Sequence, residues 1–226
     1  MKSASGSLGE DPFAFKPANI PDPRAVGAAG LPGDGARPIP VRQRAHLDVR
    51  MFVAAWPDDT TLKRLSLLEL GPAQGLTLVR PGQWHITLRF LGDVDDHLVP
   101  ALVDALGAAA GNLAGSVHCE VGPRTAWFNG ERVLQIPVAG LDEAADAVRS
   151  ATVPVVPDTN HGDAPFTGHL TIARSKGRRL NGSARAPLAG IPFFATFDVD
   201  CLDLVASRSS TEGHRYTTLA RVPLPG

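Results

Sequence analysis

Two tetrapeptides carry the residue types of acid–base chemistry: His85-Ile86-Thr87-Leu88 and His169-Leu170-Thr171-Ile172. Both read His-apolar-Thr-apolar. In a strand, successive side chains alternate faces, so His and Thr share one face and the two apolar residues turn to the core. Each tetrapeptide then offers an imidazole and a hydroxyl to the same space. Displacement at phosphorus needs a base on the attacking side and an acid at the leaving oxygen. His is the side chain whose ordinary pKa serves both roles near neutral pH. Thr hydroxyls can donate to the non-bridging oxygens, where charge gathers. This scheme requires no metal or other cofactor, and the five remaining His form no ligand set with Asp or Glu at motif spacing. Either tetrapeptide alone is explained by a half-exposed strand His beside a β-favouring Thr. The pair is not: given a His, chance supplies Thr two residues on with apolar flanks roughly 1% of the time.

The elements that must position these residues are legible around them. Residues 50–55 read as a strand. Pro57-Asp58-Asp59 starts a helix carrying Leu62, Leu65 and Leu68, and Gly71-Pro72 stops it. Residues 84–91 are strand-like up to Gly92-Asp93. Val94, Leu98, Leu102 and Leu106 form a second helical stripe, with Pro100 in or near its first turn. Two strand-like runs, 116–128 (broken at Gly122-Pro123) and 131–138, flank Asn129-Gly130, a strong hairpin signal. Leu141, Ala144, Ala145 and Val148 mark a short third helix, and residues 154–165 a loop. Strands follow over 166–174, 193–206 and 214–222. Strand, helix and a His-bearing strand thus occur twice, over 51–91 and 131–174. Two such lobes facing each other bring the His strands together in an α+β fold of mostly antiparallel sheet.

Composition narrows the class. The 226 residues hold 22 Lys+Arg against 23 Asp+Glu, a net charge of −1, which argues against a protein that coats long nucleic acid but permits binding of a short end. Gly and Pro are in excess, at 23 and 20, and seven of the Pro fall within residues 1–45. Residues 1–48 read as a disordered leader with too few apolar groups to offset its ordering entropy. Two readings stay open: a flexible tail, or a start placed upstream of the true one near Val49 or Met51. Residues 49–226 form the folded domain. No run long enough to span a membrane and no secretory signal is visible. Cys119 and Cys201 read as two unlinked, buried thiols in a reducing cytoplasm.

Together these segments resemble the two-histidine phosphoesterase superfamily. More narrowly, Trp84-His-Ile-Thr-Leu-Arg-Phe-Leu-Gly92 and Pro165-Phe-Thr-Gly-His-Leu-Thr-Ile-Ala-Arg174 are similar to the bacterial RNA 2′,3′-cyclic phosphodiesterases, also called 2′-5′ RNA ligase-like proteins. The opening Met51-Phe-Val-Ala-Ala-Trp-Pro57 and closing Tyr216-Thr-Thr-Leu-Ala-Arg221 fit the same pattern. The resemblance covers about residues 49–224. It implies a bilobal fold of two pseudo-symmetric lobes with outer helices and a central cleft. It also implies metal-independent opening of an RNA terminal 2′,3′-cyclic phosphate to a 2′-phosphate. His85 would protonate the departing 3′ oxygen and His169 would activate water, an assignment the near-symmetric motifs cannot give by themselves. Thr87 and Thr171 would bind phosphate oxygens, Arg174 would contact phosphate, and Phe90 would stack on the terminal base.

Strand alternation sits uneasily with part of this. It puts Arg89 on the His85–Thr87 face, as a candidate substrate contact, and turns Phe90 and Arg174 away from their motifs. Those two reach the cleft only where the strands end or bulge. Segment 174–185 carries five positive charges and no acid, suited to guiding an RNA backbone or simply to solvation. Trp84 and Trp127 read as core or cleft wall. The expected partners are RNA 3′ ends or a small nucleotide, with no membrane, and the chain is expected to act as a monomer. Other small cyclic or 2′-5′-linked nucleotides, reversible 2′-5′ ligation, and a non-catalytic RNA-end binding module stay open as alternatives.

Overall fold

The computed structural model describes residues 49–70, 75–128, 132–158, 165–175, 186–210 and 213–226. The 1–48 leader, the Gly71-Pro72 stop, the Asn129-Gly130 turn and most of the basic segment lie outside the described residues.

Alternation of apolar side chains builds the sheet. In β1 (Val49–Ala55), Met51, Val53 and Ala55 enter the main core while Phe52 and Ala54 line the opposite face. The other strands are β2 (Leu76–Leu78), β3 (Ile86–Asp93), β4 (Val117–Val121), β5 (Ala126–Phe128), β6 (Val133–Ala139), β7 (His169–Ser175), β8 (Ala195–Val199), β9 (Cys201–Ser210) and β10 (Gly213–Pro223). Their order is β10-β9-β1-β3-β7-β6-β4-β8, with β2 also on β7 and β5 also on β6, and every described pairing is antiparallel. Three helices lie on the main-core side: α1 (Asp59–Ser66), α2 (Val99–Gly111) and α3 (Asp142–Thr152). The expected α+β architecture is therefore present, with the helices on one face and the two motifs' His and Thr on the other.

Two helices begin at local signals, although the expected second stripe starts late, its Val94 and Leu98 lying before α2. The Asp58 carboxylate accepts from the Thr61 amide at 2.7 Å and caps α1. Pro100 sits in the first turn of α2, where its missing N–H is harmless. The α1 stripe ends sooner than expected, at Ser66, because the Leu67 and Leu68 amides close onto Arg64 and Leu65 in a tightened last turn. No helix of the described residues is long and apolar enough to cross a membrane.

Two expectations need correction. The run 193–206 is not one strand: it breaks at Asp200 into β8, beside β4, and β9, beside β1, nearly the full width of the sheet apart. No Gly or Pro marks that break; the two halves differ only in the neighbours they pair with. The strands of residues 84–91 and 166–174 also start later, at Ile86 and His169. Both motif histidines therefore stand at the mouths of their strands.

Candidate active site

The two halves of the sheet meet at β3 and β7, where Ile86 pairs with Leu170. Both side chains are fully buried on the helix side. Continuing this antiparallel register by one residue each way sets His85 across from Thr171 and Thr87 across from His169. The motifs are thus juxtaposed about a pseudo-twofold axis, all four polar groups on the face away from the helices.

Each imidazole is fixed in the same way. His85 Nδ1 lies 2.7 Å from the Gln83 carbonyl oxygen, and His169 Nδ1 lies 2.8 Å from that of Thr167. A carbonyl can only accept, so Nδ1 carries the proton and Nε2 is left to meet substrate. Gln83 is itself tied down, its side-chain amide donating to the His214 carbonyl on β10. A similar constraint acts before His169: a Cβ on Gly168 would collide with the Val138 carbonyl oxygen, so β7 enters against β6 more closely than any side chain allows.

The surroundings of the two imidazoles differ. Phe52, Trp56 and Tyr216 surround His85, with ring centroids at 4.9, 5.5 and 5.2 Å. Burial of the ring lowers the His85 pKa to about 4; the Gln83 carbonyl opposes this, while Arg174 and His169 add to it. Burial raises the Tyr216 pKa, so its hydroxyl stays protonated. His169 has the ring of Phe128 at 4.7 Å. The His85 half holds three aromatic rings, and the His169 half holds one, Phe128, with Thr171, Arg174 and Gln135.

A bulge in each motif strand decides which further residues arrive. In β3, Ala54 faces Thr87 but Val53 faces Arg89, so Leu88 is an extra residue. In β7, Gln135 faces Thr171 but Leu134 faces Ala173, so Ile172 is extra. The insertion falls one residue after the motif Thr both times. Each bulge turns two successive residues to the buried side and reverses the alternation beyond it. Phe90 therefore reaches the site face, 43% exposed and stacked on Phe52 at 6.0 Å. Arg174 likewise comes to that face, where its charge acts on His85 and Tyr216.

The same bulge overturns the placement of Arg89. It is 7% exposed and points to the helix side, where its guanidinium donates to Asp158 at 2.7 Å and also bonds the Thr152 hydroxyl and the Val156 carbonyl. Arg149 holds the other Asp158 oxygen at 2.9 Å. Trp84 lies in the main core, and Trp127 packs on a smaller cluster around Leu134. Cys119 and Cys201 are unlinked, and burial pushes both thiols up to about 12.

Several lining residues escaped the sequence reading: Phe52, Trp56, Phe128 and Gln135. The Phe52-Ala54-Trp56 alternation was available as a signal, but nothing in it says that this face is open to substrate. Phe128 and Gln135 gave none, because their approach depends on the neighbours of β5 and β6.

This fold, with paired His-x-Thr motifs on one sheet face, is the arrangement that the resemblance to two-histidine phosphoesterases implies. The family described as LigT like Phosphoesterase matches residues 63–116, a span holding the first motif. No curated protein matches the chain in sequence. Among solved structures, TT0787 of Thermus thermophilus is 24% identical with a TM-score of 0.66, covering 78% of this chain and 98% of its own. E. coli LigT complexed with 3′-AMP is 22% identical, TM-score 0.60, with the same coverage. A structure described as a phosphoesterase is 23% identical, TM-score 0.60, covering 78% of this chain and 99% of its own. At these identities the likeness is one of fold. The family match over residues 63–116 and the shared fold are what make the chain similar to the LigT-like two-histidine phosphoesterases.

Proposed function

We propose that this protein hydrolyses the terminal 2′,3′-cyclic phosphate of RNA to a 2′-phosphate, in the cytoplasm. The observation that supports the reading is the Ile86–Leu170 pairing, which joins two strands that each carry a carbonyl-anchored imidazole and a threonine. In this reading His169 Nε2 takes a proton from water as the water oxygen bonds to phosphorus. The bond from phosphorus to the 3′ oxygen breaks, and His85 Nε2 gives that oxygen its proton. Thr87, Thr171 and Arg174 hold the phosphoryl oxygens, and Phe90 stacks on the terminal base. An imidazole with a pKa of about 4 is neutral at pH 7. The single negative charge of a bound cyclic phosphate, set against Nε2, raises that pKa and supplies the acid form where it is used. E. coli LigT, which shares the fold, was crystallised with 3′-AMP, and this supports a nucleotide as the ligand.

A synthetic oligonucleotide ending in a 2′,3′-cyclic phosphate tests the reading. The purified protein should open it with EDTA present, leaving the phosphate on the 2′ oxygen. His85→Ala and His169→Ala should each lose at least about 10² in rate. Full activity in either variant would remove the paired acid–base mechanism.

A further inference from the structure

Gln135 is a residue whose burial the fold does not explain. It sits in the middle of β6 and is 7% exposed. Its Oε1 is buried with no hydrogen-bond partner among the described residues. Among the described residues two other buried side-chain atoms share that condition, the indole nitrogens of Trp56 and Trp84. Those belong to large rings whose apolar burial more than compensates one unmade bond. A carboxamide has no comparable apolar area. Leaving its oxygen unpaired costs about 1–3 kcal/mol, which leucine or methionine would avoid. Folding alone therefore disfavours glutamine at this position.

Its register shows what it is near. Gln135 is paired directly with Thr171 on β7 and with Ala126 on β5. Directly paired antiparallel residues point to the same face, with Cβ atoms about 5 Å apart. Its neighbours in sequence, Leu134 and Ile136, turn the other way into the apolar clusters. The carboxamide thus stands on the site face beside the second-motif threonine. The equivalent position in the first half, opposite Thr87, is Ala54. Only one half of the pseudo-symmetric site carries this extra polar group.

We propose that the Gln135 carboxamide is a further phosphate-binding group. It donates Nε2–H to a phosphoryl oxygen next to the one held by Thr171. An anion selects the donor end, Nε2–H, while the buried Oε1 keeps its cost whether or not phosphate is bound. The proposal deepens the phosphodiesterase reading and rests on it for its substrate class. It also gives the site a direction: the anion is drawn toward the His169 side, leaving the aromatic half around His85 for the nucleoside.

Binding of inorganic phosphate by calorimetry tests this apart from turnover. Gln135→Met should weaken phosphate binding by about tenfold or more, since a bond to a charged acceptor is lost. Its melting temperature should be unchanged or higher, because the unpaired oxygen is gone. Gln135→Glu should weaken binding further at pH 8 and recover part of it at pH 5, as the carboxylate takes up a proton. Unchanged phosphate affinity in Gln135→Met overturns the proposal even if the cyclic-phosphate oligonucleotide is hydrolysed. Weakened phosphate binding without any such hydrolysis keeps the proposal and rejects the RNA substrate. If Gln135→Met does not fold, the Gln135→Glu pH dependence decides: affinity insensitive to pH beyond that of the unaltered protein overturns it.

Discussion

At the residue scale, one motif chemistry is set in two environments. His85 and His169 share a tautomer-fixing carbonyl bond, yet His169 meets the single ring of Phe128, while His85 is enclosed by three aromatic rings and its burial lowers its pKa to about 4. Its folded pKa lies below the ordinary imidazole value of 6.5, so between those limits the unfolded chain binds more protons. The stability this group contributes is whole above pH 6.5 and is lost as pH falls through 4. His85→Gln should therefore flatten the acid side of the stability curve. In NMR titration the His85 ring should titrate near pH 4. Removing the neighbouring charge in Arg174→Gln should move that midpoint upward, because Arg174 is one of the groups holding it down. A midpoint at the ordinary value in the unaltered protein would show that the aromatic enclosure does not desolvate the ring.

At the element scale, the paired bulges choose the site's outer residues. Without an extra residue after Thr87, strict alternation would bring Arg89 to the site and bury Phe90. The bulge sends Arg89 into a network with Asp158, Thr152 and Val156, where its burial is compensated by hydrogen bonds and a charge. Arg89→Met removes the donor but leaves Asp158 with Arg149. The loss should thus be about 2 kcal/mol in chemical denaturation, in the range of charged hydrogen bonds rather than of an orphaned buried ion. The network braces the bulge from behind, so the same variant should raise KM for a nucleotide substrate more than it lowers kcat. A stable variant with unaltered KM would show that the bulge holds its shape unaided.

At the scale of the whole molecule, the geometry of the candidate site depends on one crossing. The two halves of the sheet join where Ile86 meets Leu170, both fully buried under the helices. Leu170→Ala should cost about 2–5 kcal/mol, as deletion of a buried leucine side chain does. It should also lower kcat at temperatures where the variant is fully folded, because the crossing sets the distance between the imidazoles. Normal kcat in the folded variant would mean that the strands are positioned from their outer partners instead.

The sequence by itself determined the candidate site's residues and most of the elements. His85, Thr87, His169 and Thr171 were legible because alternation over two or three residues is a local property of a strand. Helix starts were legible at Asp58 and Pro100 because caps act within one turn. The tertiary structure decided what local rules cannot reach. Whether a strand carries an extra residue depends on how its partner's register is held, and this reversed the places of Arg89 and Phe90. Which strand lies beside which split 193–206 at Asp200 and set Gln135 next to Thr171. The asymmetry of the site came from the same source: Phe52, Trp56 and Tyr216 lie 33, 29 and 131 residues from His85 in the chain and meet it only through the pairing of β1, β3, β9 and β10. Local chemistry is written in the order of residues; the field in which it operates is made by contacts distant in that order.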